Sequence, residues 1–594
     1  MKSLDLGIVG NCSISALIDR HGRINWCCLP RLDGDPVFCT LLNGDDEPDK
    51  GFYDIELIDF AHAEQSYRRN SAVLTTQLFD RHGGGLEIID FAPRFKHFGR
   101  IFRPMMLVRC LRPLAGSPQI RIRLRPTFRH GQEVPQRTRG SNHIRYIMDS
   151  LTLRLTTDCP VSYAMDEVPF ILDREINLFL GPDESLTQAL AETSREFLEQ
   201  TDEYWREWCR YLSLPFEWQE AVIRAAITLK LCSYEESGAI VAAMTTSIPE
   251  APNSQRNWDY RFCWLRDSFF VVNALNALGV TKTMESYLGY LRNIVASAPE
   301  GYLQPVYGIT LEHRLDESEV PSLAGYRGMG PVRVGNDAYR QVQNDGYGSV
   351  VLASTQAFYD HRLSRMGDRD LFAWLERLGE QAVKRWNQPD SGIWEYRSRA
   401  TVHTYSSVMC WAACDRLAKI ARRVGMLHRI DYWQDNATRI KKEILKRGWN
   451  AQTKSFVSAF DGGDVDASLL LLPALGFIAA DDPRYRTTVE HIERVLRRDG
   501  HLLRYVAADD FGSPETAFNV CTFWFIDALA SIGRQDEARS IFETMLECRN
   551  HLGLLSEDLA ADSRTLWGNF PQTYSMVGLI HSARKLSKPW EDAI

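Results

Sequence analysis

From residue 216 almost to its end the chain repeats one rhythm of apolar spacing, and that rhythm is helical. Apolar-periodic segments fall near 216–231, 264–278, 282–297, 339–362, 367–386, 405–424, 428–447, 466–477, 481–498, 516–532, 534–548 and 572–586. The even-numbered segments are apolar on nearly every side, as in "FFVVNALNALG", "ASLLLLPALGFI" and "TFWFIDALASIG". The odd-numbered ones keep a charged face, as in "DYWQDNATRIKKEILKRGW". A helix apolar all round is buried, and a one-faced helix lies outside. Buried and surface helices in strict alternation predict an (α/α)6 barrel.

Before residue 190 the pattern is different. Short alternating runs are broken by Gly, Pro and Asp: "AVLTTQLFD" (72–80), "LEIIDFAP" (86–93), "QIRIRLRPTF" (119–128) and "HIRYIMDSLTLRLTT" (143–157). Period-two alternation with closely spaced turn signals predicts an antiparallel β-sandwich. "GGG" at 83–85 reads as a hairpin turn, with no phosphate-loop context around it. The chain therefore divides into a sandwich at 1–190, a helical linker at 191–215 and a barrel at 216–594.

Several partner classes are disfavoured. A net charge of −8 argues against a nucleic-acid or anionic-membrane surface. No window reaches 18 uninterrupted apolar residues, and the first residues lack the basic-then-apolar order of a secretion signal. The 13 cysteines form no CxxC pair, so no metal site is expected, and they read as reduced thiols of a cytoplasmic protein. No cofactor is implied. A homo-oligomer is compatible with all of this.

The residues that the fold does not need sit in the loops that lead into the buried helices. These are "NWDYRFCWLRDS", "GYRGMGPVRVGNDAYRQVQNDG", "PDSGIWEYRSRATVHTY", "RYVAADDFGSPETAF" and "GLLSEDLAADSRTLWGNFPQTYS". In an (α/α)6 barrel such loops emerge at one end and converge on one cavity. They supply Trp258, Tyr260, Trp264 and Trp394 as flat apolar faces. They also supply Arg266, Asp267, Arg333, Asp345 and Glu515 as fixed donors and acceptors. Sugars present both needs, apolar ring faces and ordered hydroxyls, and a site built for hydroxyls rejects analogues that lack them. Glu395 precedes the third buried helix and Glu557 the sixth, so the two should face each other across the barrel mouth. Opposed carboxylates are what glycoside hydrolysis uses. A wide separation, about 6.5–9.5 Å, leaves room for water and gives inversion.

These motifs resemble glycoside hydrolase family 15, the glucoamylase and trehalase family. "YRFCWLRDS" is similar to its W-x-R-D segment, "QNDG" to its Q-x-D-G turn and "GIWEYR" to its general-acid segment. "LLSED" and "GNFPQTYS" are similar to its base loop and the segment that follows. "LGIVGNCSISALIDRHGRINWCCLPRLDGDPVF" resembles the trehalase-like N-terminal domain of bacterial and archaeal members. The resemblance implies an inverting exo-hydrolase that releases β-D-glucose from a small α-glucoside. Trehalose leads as substrate, with maltose, isomaltose and malto-oligosaccharides next. It implies Glu395 as acid, Glu557 as base, and Arg266 and Asp267 as contacts to the terminal glucose, their partner being substrate rather than core. Ser407 stands where trehalase-like members usually carry Lys, and Met576 where they usually carry His.

Plainer readings exist for each residue. Glu395 could pair with Arg397, Arg266–Asp267 could serve a helix dipole, Asp345 could be a turn residue and the tryptophans could be core. At the level of function the rivals are an inverting sugar phosphorylase, in which phosphate attacks and no protein base is needed, and a carbohydrate-binding relative that has lost activity.

Overall fold

A computed structural model describes residues 3–44 and 47–593. The N-terminal part is two antiparallel sheets packed face to face. One runs in the order Leu6–Gly10, Ser15–Asp19, Ile24–Leu29, Phe52–Leu57, Gln119–Arg125, Phe170–Ile171, with Asp35–Phe38 paired to Ile24–Leu29. The other runs Gln136–Arg139, His143–Ile147, Thr152–Thr157, Ile176–Pro182, Leu107–Ala115, Gly85–Phe91, Leu74–Asp80, Phe60–Tyr67. Alternation decides which side chains fill the space between them. In Gln119–Arg125, Ile120, Ile122 and Leu124 point into the shared core while Arg121, Arg123 and Arg125 face out. The run read as 143–157 is a hairpin, His143–Ile147 paired to Thr152–Thr157. The "GGG" stretch turns between Leu74–Asp80 and Gly85–Phe91.

A long amphipathic helix, Leu190–Arg210, leads to the helical part. Its outer helices are Gln219–Leu231, Thr281–Ser297, Arg369–Arg385, Leu427–Arg447, Pro483–Leu496 and Gln535–Glu547. Its inner helices are Leu265–Ala277, Asp345–Thr355, Thr404–Arg423, Ala467–Leu471, Asn519–Ser531 and Thr573–Leu586. Each inner helix packs on the next, and the sixth packs back on the first, which closes the ring. The (α/α)6 barrel expected from the rhythm is therefore present.

One inner member departs from its expected length. The segment read as a helix over 466–477 is a single 3-10 turn, Ala467–Leu471, followed by irregular turns. Pro473 has no N–H to extend the ladder, and Gly476 takes a left-handed φ of 78°. The apolar composition still buries the segment, because burial follows hydrophobicity whether or not the backbone is helical.

The sandwich touches the end of the barrel that carries the long loops. Arg261 donates to the backbone carbonyl of Gly34 at 2.8 Å, and Trp26 donates to that of Met244 at 2.8 Å. All 13 cysteines are buried free thiols. Among the described residues, no helix is long and apolar enough to cross a membrane, and no cluster of side chains could hold a metal ion.

Candidate active site

The loops before the first, second, third, fifth and sixth inner helices converge on one cavity of about 900 Å³, counting its open mouth. Its floor is buried: Arg266, Asp267 and Glu557 are each at most 6% exposed. The rim residues Arg397, Asp510 and Phe511 are exposed.

The segment from Tyr260 to Trp264 explains itself here. The chain bends at Phe262 and Cys263–Trp264 pairs with Val306–Tyr307, so the Tyr260 and Trp264 rings meet 5.5 Å apart. Tyr260 and Trp264 face the cavity. Arg261 faces away, ion-paired to Asp259 at 2.7 Å and hydrogen-bonded into the sandwich. Each of the two aromatic residues then holds one carboxylate. Tyr260 Oη donates to Glu557 Oε1 at 2.6 Å, and Trp264 Nε1 donates to Glu395 Oε1 at 2.7 Å.

Glu395 sits in a left-handed conformation, φ 59°, which is uncommon for a residue with a Cβ. The loop around it is pinned. Glu395 N donates to Gly392 O and Tyr396 N to Ser391 O, while His403 stacks on Tyr396 with ring centroids 5.7 Å apart. Gly392 is required at this point, since a Cβ there would lie 2.7 Å from the His403 ring. Glu395 Oε1 also accepts from Arg266 Nη2 at 3.1 Å and Gln343 Nε2 at 3.2 Å. All three donors converge on Oε1. Glu395 does not pair with Arg397, whose guanidinium bonds Glu317.

Glu557 is mounted on a three-stranded sheet, Ala517–Phe518, Asp558–Leu559 and Leu566–Trp567. Its N–H donates to Asn569 O, and its carbonyl accepts from Asn519 N. Burial, and then the neighbouring Glu250, push its carboxyl up to about 8, opposed by Tyr260 and Arg504. Next to it, burial and the charge of Glu557 push Asp558 well up. Arg504 donates to Glu250 and provides the positive charge of this acidic group.

Arg266 lines the cavity and is already held by protein groups. Its Nε donates to Tyr574 Oη at 3.0 Å, its Nη1 to Gln343 Oε1 at 2.7 Å and its Nη2 to Glu395. Its partners are protein groups, and it fixes the Glu395 carboxylate as well as lining the cavity. Asp267 fits its expected place better. Burial pushes its carboxyl up to about 7, and Oδ1 has no hydrogen-bond partner among the described residues.

Of the other expected site residues, Trp258 and Trp394 line the cavity. Arg333, Asp345 and Glu515 do not. Asp345 lies behind Arg266, 3.5 Å from Nη1, with neither oxygen hydrogen-bonded. Arg333 supports Trp258 from 4.9 Å and donates to the carbonyls of Gln255 and Asn257. Glu515 is exposed beside the loop. Ser407 donates to the carbonyl of Trp386, and Met576 is fully buried in the barrel wall, so neither departure reaches the cavity. Sequence reasoning missed Glu250, Arg504 and Asp509. They lie in loops without a motif, and only the convergence of loops gives them meaning.

A helical ring with two carboxylates held in the mouth cavity defines a glycoside hydrolase of the (α/α)6 type. The profile of Glycosyl hydrolases family 15 matches residues 218–584, and the chain belongs to that family. It is 32% identical to a trehalase of Thermoplasma volcanium over 98% of this chain and 93% of that one. It is 31% identical to a trehalase of Mycobacterium tuberculosis over 99% and 90%. A bacterial glucoamylase solved in complex with acarbose shares the fold, with a TM-score of 0.70 at 14% identity over 99% of this chain and 94% of that chain.

Proposed function

We propose that the protein is an inverting, exo-acting α-glucosidase that releases β-D-glucose, with trehalose as its substrate. One observation carries the reading. Glu395 and Glu557 line the same cavity, and a donor from a single segment fixes Oε1 of each. The terminal glucose sits on the floor, where Asp267 accepts from its hydroxyls. Glu395, protonated, gives its proton to the glycosidic oxygen as the bond to the anomeric carbon breaks. Glu557, ionised, takes a proton from the water that attacks the opposite face. One water is consumed, and each carboxyl returns to its starting state when protons exchange with solvent.

The relatives named trehalase match nearly end to end, which supports an α,α-linked disaccharide as substrate. A buried base in the cavity weighs against phosphorolysis, where phosphate itself attacks.

The test is to incubate the pure protein with trehalose, maltose and isomaltose, with and without phosphate, and to follow the anomers by proton NMR. Equal amounts of β-glucose, from the attacked ring, and α-glucose, from the departing ring, are expected from trehalose within the first minutes, without phosphate. Release of α-glucose alone would overturn inversion, a glucose phosphate would reassign the enzyme as a phosphorylase, and no turnover of any sugar would leave a binding protein.

A further inference from the structure

The rim of the cavity is bridged by one turn. Asp509–Gly512, in the loop before the fifth inner helix, closes on itself through Phe511 N donating to Asp509 Oδ1 at 2.8 Å. Two adjacent acids tie it to two other loops. Asp509 takes a bidentate pair from Arg256, both contacts 2.6 Å, and Arg256 Nη2 also donates to Gly512 O at 2.8 Å. Asp510 Oδ2 accepts from the backbone N–H of Arg397 at 2.9 Å and of Ser398 at 3.3 Å, and Oδ1 takes the Ser398 hydroxyl. The turn thus joins the loop that carries Tyr260 and Trp264 to the loop that carries Glu395. Between the two latches, Phe511 meets Trp258 edge on at 5.3 Å, and the Arg397 guanidinium lies over the Trp258 ring at 3.9 Å.

The latches differ in strength. The Arg256–Asp509 pair is buried, with side chains 9% and 6% exposed, and a buried bidentate pair holds firmly. The Asp510 latch and Phe511 stand in solvent.

We infer that this turn sets the length of substrate the cavity accepts, and that it selects two-sugar α-glucosides against longer chains. The inference rests on the proposed function. With the terminal glucose on the floor, the second sugar lies beneath Trp258 and Phe511. A third sugar would have to pass the strip formed by Asp510, Phe511 and Arg397. It would displace Phe511 from Trp258 or break the Asp510 latch, and gain little contact in return. Asp510 and Phe511 are thus specificity-determining residues, and neither touches the reacting atoms.

The experiment measures binding of maltose and maltotetraose by calorimetry, in a Glu395→Gln background that prevents turnover. Their linkage is the same, so only length varies. The chain with its turn intact should bind maltotetraose about tenfold or more weaker than maltose. Phe511→Ala and Asp510→Ala should each narrow that ratio by about threefold or more, and the pair further. Phe511 is exposed, so its truncation leaves the fold unchanged, and the Asp510 variant is not needed alone to decide. Equal affinity for both sugars before mutation, or an unchanged ratio in both variants, overturns the inference while leaving the α-glucosidase reading intact. Failure of both maltose and trehalose, measured alongside it, to bind would instead remove that reading, and the length filter with it.

Discussion

Tyr260 and Trp264 meet edge to face with ring centroids 5.5 Å apart, and each donates to a different candidate catalytic carboxylate. The two carboxylates are therefore registered against one another through a single aromatic pair. The rings themselves need no charge. The charges nearby belong to the other face of the same segment, where Arg261 anchors it to the sandwich.

In the proposed roles, Glu395→Gln removes the proton donor and Glu557→Gln removes the base. Each should lower kcat by about 10²–10⁴-fold on the substrate identified, with the fold retained by circular dichroism. Near-normal turnover in either variant reassigns its role.

The pH–rate profile should carry the mark of burial. Glu557 must be ionised to accept a proton, and burial with Glu250 raises it to about 8. The rising limb of kcat/KM should lie well above the ordinary carboxylate range. Glu250→Gln removes a negative neighbour and should move that limb to lower pH. Tyr260→Phe removes a donor that favours the ionised form, so it should move the limb to higher pH and lower kcat about tenfold or more. Shifts of the same sign in both variants would refute this account.

Glu557 should also limit stability. Its folded value lies above the ordinary value of 4.5, so the fold favours the protonated form. Its stabilising contribution is complete below pH 4.5 and is lost as pH rises through about 8. Glu557→Gln should therefore melt higher than the parent at pH 8, by on the order of 2 kcal/mol or more, and the gap should close toward pH 4.5. Thermal melts across that range check it.

Arg266→Lys should lose activity and stability together. The planar fork serves Tyr574, Gln343 and Glu395 at once, and a lysine cannot reproduce it. Buried Asp345 would also lose its nearest cation. A loss of about 2 kcal/mol or more in stability, with kcat down about 100-fold, is expected. A variant that melts normally would return Arg266 to a role toward substrate alone.

Gly568 holds the base from behind at φ 74°. A Cβ there would lie 2.7 Å from Glu557 Cβ and 2.8 Å from its Oε2. Gly568→Ala should lower kcat more than it changes KM, measured on folded protein.

Hydrophobic spacing by itself determined the two architectures. Alternation produced the sheets, the contrast between all-round and one-faced helices produced the ring, and loop position placed Glu395 and Glu557 in one cavity. These are properties of neighbours along the chain, so they are legible there. The tertiary structure alone decided the rest. It shortened the fourth inner helix at Pro473, because burial tolerates an irregular backbone that periodicity cannot distinguish from a helix. It turned Arg266 onto Tyr574, Gln343 and Glu395, set Asp345 behind it, and brought Glu250 and Arg504 beside Glu557. The residues of each of these groups are scattered along the chain, and their electrostatics exist only once folding has removed the water between them.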